Sequence, residues 1–390
     1  METNPSSLRS QMAPLLFLVG IFFLNFISRV VLSPLLPTVE KDLKIGHEEA
    51  GSFFFMISFG YCVGLLFSGF ISSRLTHRKT ILLSSIAVGG ALMMVSVSHH
   101  LWVIRIGLIF LGMAAGFYLP SGIATVTELV RPEHWGKAIA IHELAPNLAF
   151  VMAPLLAEAL LGVFSWRGVL MLSGMASVVS GVVFIIFGKG GEIRGEAPNF
   201  KMLRTILIEP SFWIMAGLFS LGIGASFGVY TMMPLYLVVE KGMDRTWANT
   251  FIGFSRILTL GSSILAGWMT DRIGPQKTLM GVFMTVGIIT ILLGLAPGLW
   301  IIPTLFLQSI LATSFFPAGF AALSRIGSGR MKNIAVSLTV PVGFLLGGGV
   351  IAAGIGIMGE MGSFSLGFIL FGVILLSGVL LTRSLRFTKD

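Results

Sequence analysis

Apolar residues are grouped along this chain into long runs that are separated by short polar segments. An α-helix rises about 1.5 Å per residue, so about 20 apolar residues are needed to cross roughly 30 Å of membrane hydrocarbon. The alternation of polar and apolar positions that is typical of membrane-spanning strands is absent. The pattern therefore predicts an all-α membrane protein with twelve spanning helices, near residues 13–37, 49–72, 79–98, 101–127, 138–163, 168–188, 211–238, 247–270, 278–296, 299–324, 333–357 and 363–383.

The longest polar stretch of the chain covers residues 189–210 and has six apolar runs on either side. This arrangement predicts two six-helix bundles, formed by residues 1–188 and 211–390, with residues 189–210 as a cytoplasmic linker. Glycine and proline residues in the stretch, such as Gly190 and Pro198, favour a linker over a folded domain.

Lys and Arg residues are distributed unevenly between the two ends of the predicted helices. If the N-terminus is cytoplasmic, 18 of the 26 basic residues fall in cytoplasmic segments, five in outer segments and three inside the apolar runs. An excess of Lys and Arg marks the cytoplasmic side of a membrane protein. We therefore expect a multi-pass protein of the cell (inner) membrane with both termini in the cytoplasm. The same distribution explains the net charge of +9 without a nucleic-acid partner.

The composition narrows the classes of function that the chain can have. Hydrophobic residues make up 55% of the chain and charged residues 11%, whereas about a quarter of an average soluble domain is charged. These values exclude a soluble enzyme, a nucleic-acid-binding protein and a disordered protein. Cys62 is the only cysteine, which excludes an intramolecular disulfide and a cysteine metal cluster. Since a nucleotide-binding Gly-Lys-Ser/Thr loop is also missing, we expect no enzymatic activity, no metal and no cofactor.

Two sequence motifs recur at nearly the same offset in the two halves of the chain. The segment Gly69-Phe-Ile-Ser-Ser-Arg-Leu-Thr-His-Arg-Lys79 corresponds to Gly267-Trp-Met-Thr-Asp-Arg-Ile-Gly-Pro-Gln-Lys277, which lies 198 residues later. The segment Phe117-Tyr-Leu-Pro-Ser-Gly122 corresponds to Ser314-Phe-Phe-Pro-Ala-Gly319, which lies 197 residues later. Matching offsets at two separate places indicate an internal repeat.

The Gly-x-x-x-Asp-Arg-x-Gly-x-x-Lys loop after the eighth run, together with the six-plus-six arrangement, resembles the major facilitator superfamily of secondary transporters. The resemblance covers essentially the whole chain and implies a two-bundle fold and transport by alternating access. It also implies a gating role for Arg74, Asp271 and Arg272, in which Asp271 pairs with Arg272 or accepts from a helix N-terminus. The first copy of the loop has Ser73 and Thr76 where the family usually has Asp and Gly. The other interpretation of that copy is a basic anchor at the membrane face.

Two arginines lie well inside predicted membrane helices, Arg29 in the first and Arg256 in the eighth. An Arg near the membrane centre costs about 2.5–3.5 kcal/mol on insertion scales and needs a partner or a water-filled cavity. The predicted helices of the second half contain no carboxylate. Arg256 must therefore reach a carboxylate across the central cavity or bind an anionic ligand, for which the forked guanidinium is suited. The alternative for Arg29 is pairing with main-chain carbonyls or with an outer-loop acid.

The segment around Arg29, Asn25-Phe-Ile-Ser-Arg-Val-Val-Leu-Ser-Pro-Leu-Leu-Pro37, resembles the Asn-Tyr-x-Asp-Arg…Leu-Pro pattern of the anion:cation symporter branch, with Ser28 in place of Asp. The segment from Arg256 to the following basic loop is similar to that of monocarboxylate transporters. Both resemblances imply an anionic substrate, and Asn25 shares a helix face with Arg29. Further candidates for substrate contact, each of which can instead be a packing residue, are Tyr118, Asn147, Tyr230 and Phe316.

Proton coupling requires an ionisable group within reach of the cavity. His142 and Glu143 are adjacent near the inner end of the fifth predicted helix, and their side chains project about 100° apart. We therefore expect this pair to provide the coupling proton. The alternative is that Glu143 forms a structural ion pair with Lys137, Arg131 or Arg74.

These observations predict a secondary active transporter that moves a small organic anion, such as a monocarboxylate, by alternating access with proton symport. The expected partners are the anionic substrate, a proton and the lipid bilayer, and the protein is expected to be a monomer. A proton-driven efflux transporter for drugs or metabolites is the first alternative, although the second half lacks the deep acid that cation transporters usually need. A membrane receptor or scaffold on a transporter fold is the second alternative.

Overall fold

The computed structural model describes residues 8–197, 207–325 and 330–385. Within these ranges the chain is helical apart from short connections, and an isolated antiparallel β-bridge joins Thr76 and Arg194. The prediction of an all-α protein is confirmed. Residues 198–206, which are part of the predicted linker, lie outside the described residues.

Twelve helices in the described ranges are long and apolar enough to cross a membrane, one for each predicted run. Some of them extend beyond the apolar run, because polar residues continue the helix: the first helix passes Pro37 and ends at Leu43. We number the helices α1 to α12 in chain order: Met12–Leu43, His47–Arg74, His77–Val97, Leu101–Leu129, Pro132–Leu161, Trp166–Phe187, Pro210–Glu240, Arg245–Ile273, Pro275–Leu295, Gly298–Leu323, Ser337–Glu360 and Phe364–Arg383.

Helices α4 and α10 are each interrupted at one residue, Phe117 and Ser314 respectively. Pro120 and Pro317 follow three residues after these breaks. Proline has no N–H group and its ring crowds the carbonyl four residues earlier, which weakens the helix at that point. The two breaks are 197 residues apart, so the repeated motif has the same structural effect in both halves.

Helices α7 and α11 contain wider, π-helical turns that the apolar pattern does not predict. These turns are Gly224–Gly228 and Tyr236–Glu240 in α7, and Phe344–Val350 in α11. A π turn accommodates an additional residue, so the main-chain groups beside it change their helical partners. Main-chain oxygens can thereby become acceptors for side chains of neighbouring helices.

Glycine pairs at helix crossings repeat the internal symmetry. Helices α3 and α6 cross at Gly89 and Gly174, where a Cβ atom on Gly89 would lie 2.5 Å from the Gly174 oxygen. Helices α9 and α12 cross at Gly287 and Gly372, where a Cβ atom on Gly287 would lie 3.0 Å from the Gly372 oxygen. Both residues of the second pair lie 198 positions after those of the first. The missing side chains let the helix backbones touch, as small residues do in membrane bundles.

The chain divides into two compact units that do not follow the chain order throughout. The first unit consists of Met1–Leu32 and Phe59–Pro198, and the second of Ser33–Ser58 and Asn199–Asp390. The second part of α1 therefore packs with C-terminal helices, and Ser33 Oγ donates to the Thr231 oxygen over 2.9 Å. The bundle boundaries at residues 188 and 211 remain a prediction from the sequence.

Candidate functional site

Arg29 lies in α1 within the first unit, and only 2% of its surface is exposed. The centre of its guanidinium is 4.0 Å from the centroid of the Tyr61 ring in α2 and 4.4 Å from that of Phe26. Phe26 and Arg29 share a helix face because they are three residues apart. Attraction between a cation and an aromatic face reaches about 2 kcal/mol where water is excluded. The two rings therefore stabilise one position of the guanidinium.

Arg256 lies in α8 within the second unit and is also 2% exposed. Its Nη2 atom donates to the main-chain oxygen of Ser226 over 2.8 Å. The centre of its guanidinium is 4.8 Å from the centroid of the Tyr230 ring. Both contacts come from α7, so one helix supplies an acceptor and an aromatic face to the same arginine.

The acceptor for Arg256 belongs to the π-helical segment Gly224–Gly228. The preceding oxygen in this segment, that of Ala225, accepts from Gln308 Nε2 of α10 over 2.8 Å. Two consecutive main-chain oxygens therefore bind side chains of other helices. The sequence predicts a carbonyl partner as an alternative for Arg29 only, and the π turn explains why Arg256 has one.

The two arginines have a common geometry, since each lies inside its unit against the ring of a tyrosine. A guanidinium carries five N–H donors in one plane. Contact with a ring engages the face of the group and fixes the direction of the donors at its edge. A planar carboxylate is the acceptor whose two oxygens match such a fork. The arrangement is suited to binding a small carboxylate.

His142, Tyr118 and Phe22 form a stack of three rings inside the first unit. The Phe22 centroid is 4.5 Å from that of His142 and 5.1 Å from that of Tyr118, with interplanar angles of 10° and 16°. The Tyr118 Oη atom lies 3.0 Å from His142 Nε2 and 2.9 Å from the Leu18 oxygen. Glu143 Oε1 lies 3.4 Å from His142 Nδ1. His142 thus contacts both Glu143 and Tyr118, although the sequence predicts a substrate contact for Tyr118.

Asn25, a candidate for substrate contact, is buried between three helices of the first unit. Its Nδ2 atom lies 3.3 Å from both Ser84 Oγ in α3 and the Ala115 oxygen in α4. Ser84 Oγ in turn donates to the Ala114 oxygen over 2.7 Å. In the described state Asn25 connects α1 to its neighbours, and its role in substrate binding remains a prediction.

Asn147 and Phe316 are half-buried, unlike the two arginines. Asn147 Nδ2 donates to the Glu143 oxygen of its own helix over 3.2 Å. The Phe316 ring packs edge to face on Phe315, with centroids 5.6 Å apart. Neither contact tests a role in substrate binding, so that role remains a prediction for both residues.

The gating candidates lie at the ends of α2 and α8. Arg74, Asp271 and Arg272 are exposed, and the Arg272 guanidinium lies 4.3 Å from the centroid of the Trp268 ring one turn earlier. The expected ion pair between Asp271 and Arg272 is not formed in the part of the chain that the structure describes. Gly274 ends α8 with a φ of +85°, a conformation that other residues rarely adopt.

Thr76 stands in the first loop where Gly274 stands in the second, and its chemistry is different. Its backbone is extended, with a φ of −80°, so the position does not require glycine. Its Oγ1 atom accepts from the Lys79 N–H over 3.3 Å and caps the start of α3. The departure from the family pattern therefore replaces a glycine turn with a side-chain cap.

The beginning of the linker is docked on this first loop, which the sequence analysis did not predict. The N–H of Arg78 donates to the Gly191 oxygen over 2.7 Å, and that of His77 donates to the Ile193 oxygen over 3.0 Å. The N–H of Gly191 donates to Glu128 Oε2 over 2.8 Å. Residues 189–197 thus belong structurally to the first unit, whereas the sequence marks them only as part of a polar stretch that contains glycine.

A second cluster of polar residues lies within the second unit, where α1 and α11 end and α2 begins. Glu360 Oε2 accepts from the His47 N–H over 2.6 Å, and His47 Nδ1 lies 2.9 Å from Glu40 Oε1. One turn along α2, a Cβ atom on Gly356 would lie 3.1 Å from Gly51 Cα. The sequence places these acids in loops or span ends and gives no sign that they meet.

Comparison with known proteins connects this geometry to a family. A sequence model described as Major Facilitator Superfamily matches residues 18–302. The chain is 20% identical to the membrane sensor protein UhpC of Escherichia coli strain K12, over 77% of this chain and 72% of that protein. It is 21% identical to the niacin transporter NiaP of Acinetobacter baylyi, over 68% of this chain and 69% of that protein.

The arrangement of the helices is similar to that of solved structures. One is the crystal structure of a bacterial homologue of the human lysosomal transporter Spinster, in an inward-facing and unoccupied conformation. The TM-score is 0.83 at 16% sequence identity, and the match covers 99% of this chain and 100% of the other. At this identity the likeness concerns the fold alone.

Proposed function

The chain belongs to the major facilitator superfamily, and we propose that it transports a small organic anion, such as a monocarboxylate, by alternating access with proton symport. The observation that carries this proposal is the arginine buried against a tyrosine ring in each unit, Arg29 and Arg256. A buried cation is costly in a membrane and marks a functional site. The cargo anion supplies the counter-charge while it is bound.

The substrate class follows from the chemistry of the arginines and their surroundings. A guanidinium edge binds a carboxylate through two parallel hydrogen bonds, and the aromatic rings beside it accept an apolar body. A small carboxylate with a compact apolar or aromatic part fits both features. The relative named as a niacin transporter carries a substrate of this class, which supports the proposal.

The proton site in this proposal is the His142–Glu143 pair. Its acid is 45% exposed at the side chain while its imidazole is fully buried, so one group can exchange protons and the other can retain them. Movement of one proton with one monovalent anion carries no net charge. We therefore expect uptake to respond to an imposed pH gradient and to be insensitive to an imposed membrane potential.

Both termini are placed in the cytoplasm in this proposal, since most of the basic residues then face the cytoplasm. Fusions of alkaline phosphatase and of green fluorescent protein to the C-terminus test the placement. A fluorescent but phosphatase-inactive protein is the expected result, and the opposite pair of results would reverse the topology.

The experiment for the substrate site is uptake of radiolabelled monocarboxylates into proteoliposomes that contain the purified protein. Arg29→Lys and Arg256→Lys keep the charge but lose the fork, so we expect kcat/KM to fall at least tenfold, which corresponds to about 1.4 kcal/mol. The matched control is Arg105→Lys, because Arg105 also lies on a ring, that of Trp102 at 4.9 Å, but is only half-buried. Unchanged uptake and binding in both arginine variants would refute the anion site.

A sensor is the second candidate function, because one relative is named as a membrane sensor. Equilibrium binding separates the two functions. Arginine-dependent binding of a carboxylate without uptake under any pH gradient indicates a sensor, whereas uptake indicates a transporter. Efflux of a cationic compound that does not depend on either arginine indicates the drug-efflux alternative.

A further inference from the structure

Three polar contacts follow one another through the ring stack of the first unit. Tyr118 Oη lies 2.9 Å from the Leu18 oxygen and 3.0 Å from His142 Nε2, and His142 Nδ1 lies 3.4 Å from Glu143 Oε1. At 2.9 and 3.0 Å, two electronegative atoms attract each other only when a hydrogen lies between them. At 3.4 Å, which is longer than most hydrogen bonds, a hydrogen between the two atoms still replaces repulsion of their lone pairs by attraction. Three attractive contacts therefore use three hydrogens in total.

The hydrogens that these groups supply can be counted. The Leu18 oxygen has none, so the hydroxyl hydrogen of Tyr118 must point toward Leu18. The contact between Tyr118 Oη and His142 then takes its hydrogen from Nε2. A neutral imidazole carries one N–H, which leaves Nδ1 bare and facing a carboxylate oxygen that also has no hydrogen. The third contact needs one proton more than neutral His142 and ionised Glu143 hold.

The ring stack keeps His142 in this orientation. The imidazole is fully buried and lies 4.5 Å from the parallel Phe22 ring. Its plane is also within 7° of that of the Tyr118 ring. A half-turn of the imidazole would place carbon atoms where both nitrogen atoms now make contacts, and the buried hydrogen bond with Tyr118 would be lost.

We infer that the His142–Glu143 pair holds one additional proton in the described state, and that Tyr118 is the positioning residue that places it there. Tyr118 acts by donating its own hydrogen to Leu18, which obliges His142 to carry the Nε2 hydrogen. The additional proton lies between His142 Nδ1 and Glu143, where the half-exposed carboxyl can release it to solvent. The use of this proton in transport rests on the proposed function, whereas its presence does not.

Other ionisable groups on the helices around the pair have their own contacts or lie elsewhere along those helices. On α1, whose Phe22 ring stacks on His142, the charged residue within the apolar run is Arg29, and its guanidinium lies 4.0 Å from the centroid of the Tyr61 ring. On α4, Glu128 accepts from Gly191 and Arg105 lies on Trp102. The remaining ionisable residues of α5 are Glu133, His134, Lys137 and Glu158. The hydrogens of the three contacts therefore come from Tyr118, His142 and Glu143 alone among these groups.

Solid-state NMR of the full-length protein in liposomes, with 15N-labelled histidine at neutral pH, tests the inference without any transport. His142→Gln identifies the signals of His142 by their loss. The expected wild-type spectrum has a protonated, pyrrole-type Nε2. The additional proton then appears either as a pyrrole-type Nδ1 or as a protonated carboxyl carbon signal that Glu143→Gln removes. A bare Nε2, or a bare Nδ1 beside an ionised Glu143, would overturn the inference.

Tyr118→Phe tests the positioning role, because phenylalanine keeps the ring stack and removes the hydroxyl. Without the hydroxyl, His142 Nε2 has no acceptor at this position. The neutral form of His142 with its hydrogen on Nδ1 is then favoured, because Nδ1 donates to ionised Glu143. We expect Nε2 to lose its hydrogen, which gives a pyridine-type signal, and the pair to lose the additional proton. If Nε2 keeps its hydrogen and the pair keeps the additional proton, the role of Tyr118 is refuted. Tyr236→Phe is the matched control, since Tyr236 also donates to a buried carbonyl, that of Leu293 at 2.8 Å, but in the second unit.

The wild-type spectrum and the Tyr118→Phe variant together separate a failure of this inference from a failure of the proposed function. If the protein does not transport anions, the wild-type spectrum still decides the proton count. If it does, Tyr118→Phe is expected to move the pH profile of uptake, which a purely structural role would not do. Uptake that is lost in Tyr118→Phe at every pH while His142 keeps its wild-type signals would assign the residue to substrate contact instead.

Discussion

The backbone of Gly356 in α11 touches the backbone of His47 in α2, because a Cβ atom on Gly356 would lie 2.6 Å from the His47 oxygen. Farther along the same pair of helices, a Cβ atom on Gly349 would lie 3.1 Å from Phe55 Cα. Glycines therefore form the contact surface of α11 toward the start of α2 within the second unit. The contact depends on the absence of side chains, as in other close helix crossings.

Gly356→Val is expected to separate α2 from α11. A branched side chain at this position must displace backbone atoms, and overpacking of this kind costs about 1–3 kcal/mol. We expect a lower midpoint of thermal unfolding in detergent, measured by intrinsic fluorescence. Gly354→Val is the matched control in the same turn, since a Cβ atom there meets nothing within 4 Å. Equal midpoints for the two variants would show that the contact does not form.

Tyr230→Leu is expected to weaken anion binding at Arg256. The leucine removes the aromatic face that lies 4.8 Å from the guanidinium, and such a contact is worth about 0.5–2 kcal/mol. Tyr230→Phe keeps the face and is the control. Calorimetric titration with a small carboxylate should show a several-fold loss of affinity in Tyr230→Leu alone. A similar loss in both variants would assign the effect to the hydroxyl and not to the ring.

Gly191→Ala is expected to release the beginning of the linker from the first loop. Gly191 has a φ of +77°, and a Cβ atom there would lie 2.8 Å from the Arg78 nitrogen. The left-handed backbone costs a residue with a side chain about 1–2 kcal/mol, and the collision adds to that cost. Limited proteolysis should cleave residues 189–197 faster in this variant than in the wild type.

Gly242→Ala controls for the backbone conformation in that experiment. Gly242 has a φ of +66°, but a Cβ atom there meets nothing within 4 Å. It therefore shares the strain of Gly191 without the collision. If cleavage of residues 189–197 is no faster in Gly191→Ala than in Gly242→Ala, contact with the first loop does not protect these residues from the protease.

The sequence was sufficient for the helices and for the repeat, because both depend on local or periodic signals. Runs of about 20 apolar residues predict spanning helices because a helix of that length matches the thickness of the membrane hydrocarbon. The repeated prolines, Pro120 and Pro317, break their helices at equivalent positions because the effect of proline is local. The apolar runs also contain Arg29 and Arg256, but the burial of these arginines against tyrosine rings does not follow from the pattern.

The contacts of the candidate sites could not be predicted in the same way. The carbonyl partner of Arg256 depends on a π turn, and no residue pattern around Ser226 distinguishes that turn from an α-helix. The contact of Tyr118 with His142 joins residues 24 positions apart on two helices, and it depends on how those helices rotate against each other. Helical periodicity limits which face a residue occupies but not which atom it meets.

Glu360 is expected to stabilise the start of α2 through its contact with the His47 N–H. The first N–H groups of a helix have no partner within it, and a carboxylate that accepts from one of them also interacts favourably with the helix dipole. Loss of such a cap costs about 0.5–2 kcal/mol. Glu360→Ala should therefore lower the thermal unfolding midpoint, and Glu360→Gln should lower it less, because the amide oxygen still accepts from His47.

Glu48→Ala is the matched control. Glu48 lies in the first turn of α2, so this variant removes one negative charge near the helix start and keeps the hydrogen bond between Glu360 and His47. A Glu360→Ala midpoint no lower than that of Glu48→Ala would mean that the charge near the helix start, and not the hydrogen bond of 2.6 Å, accounts for the effect.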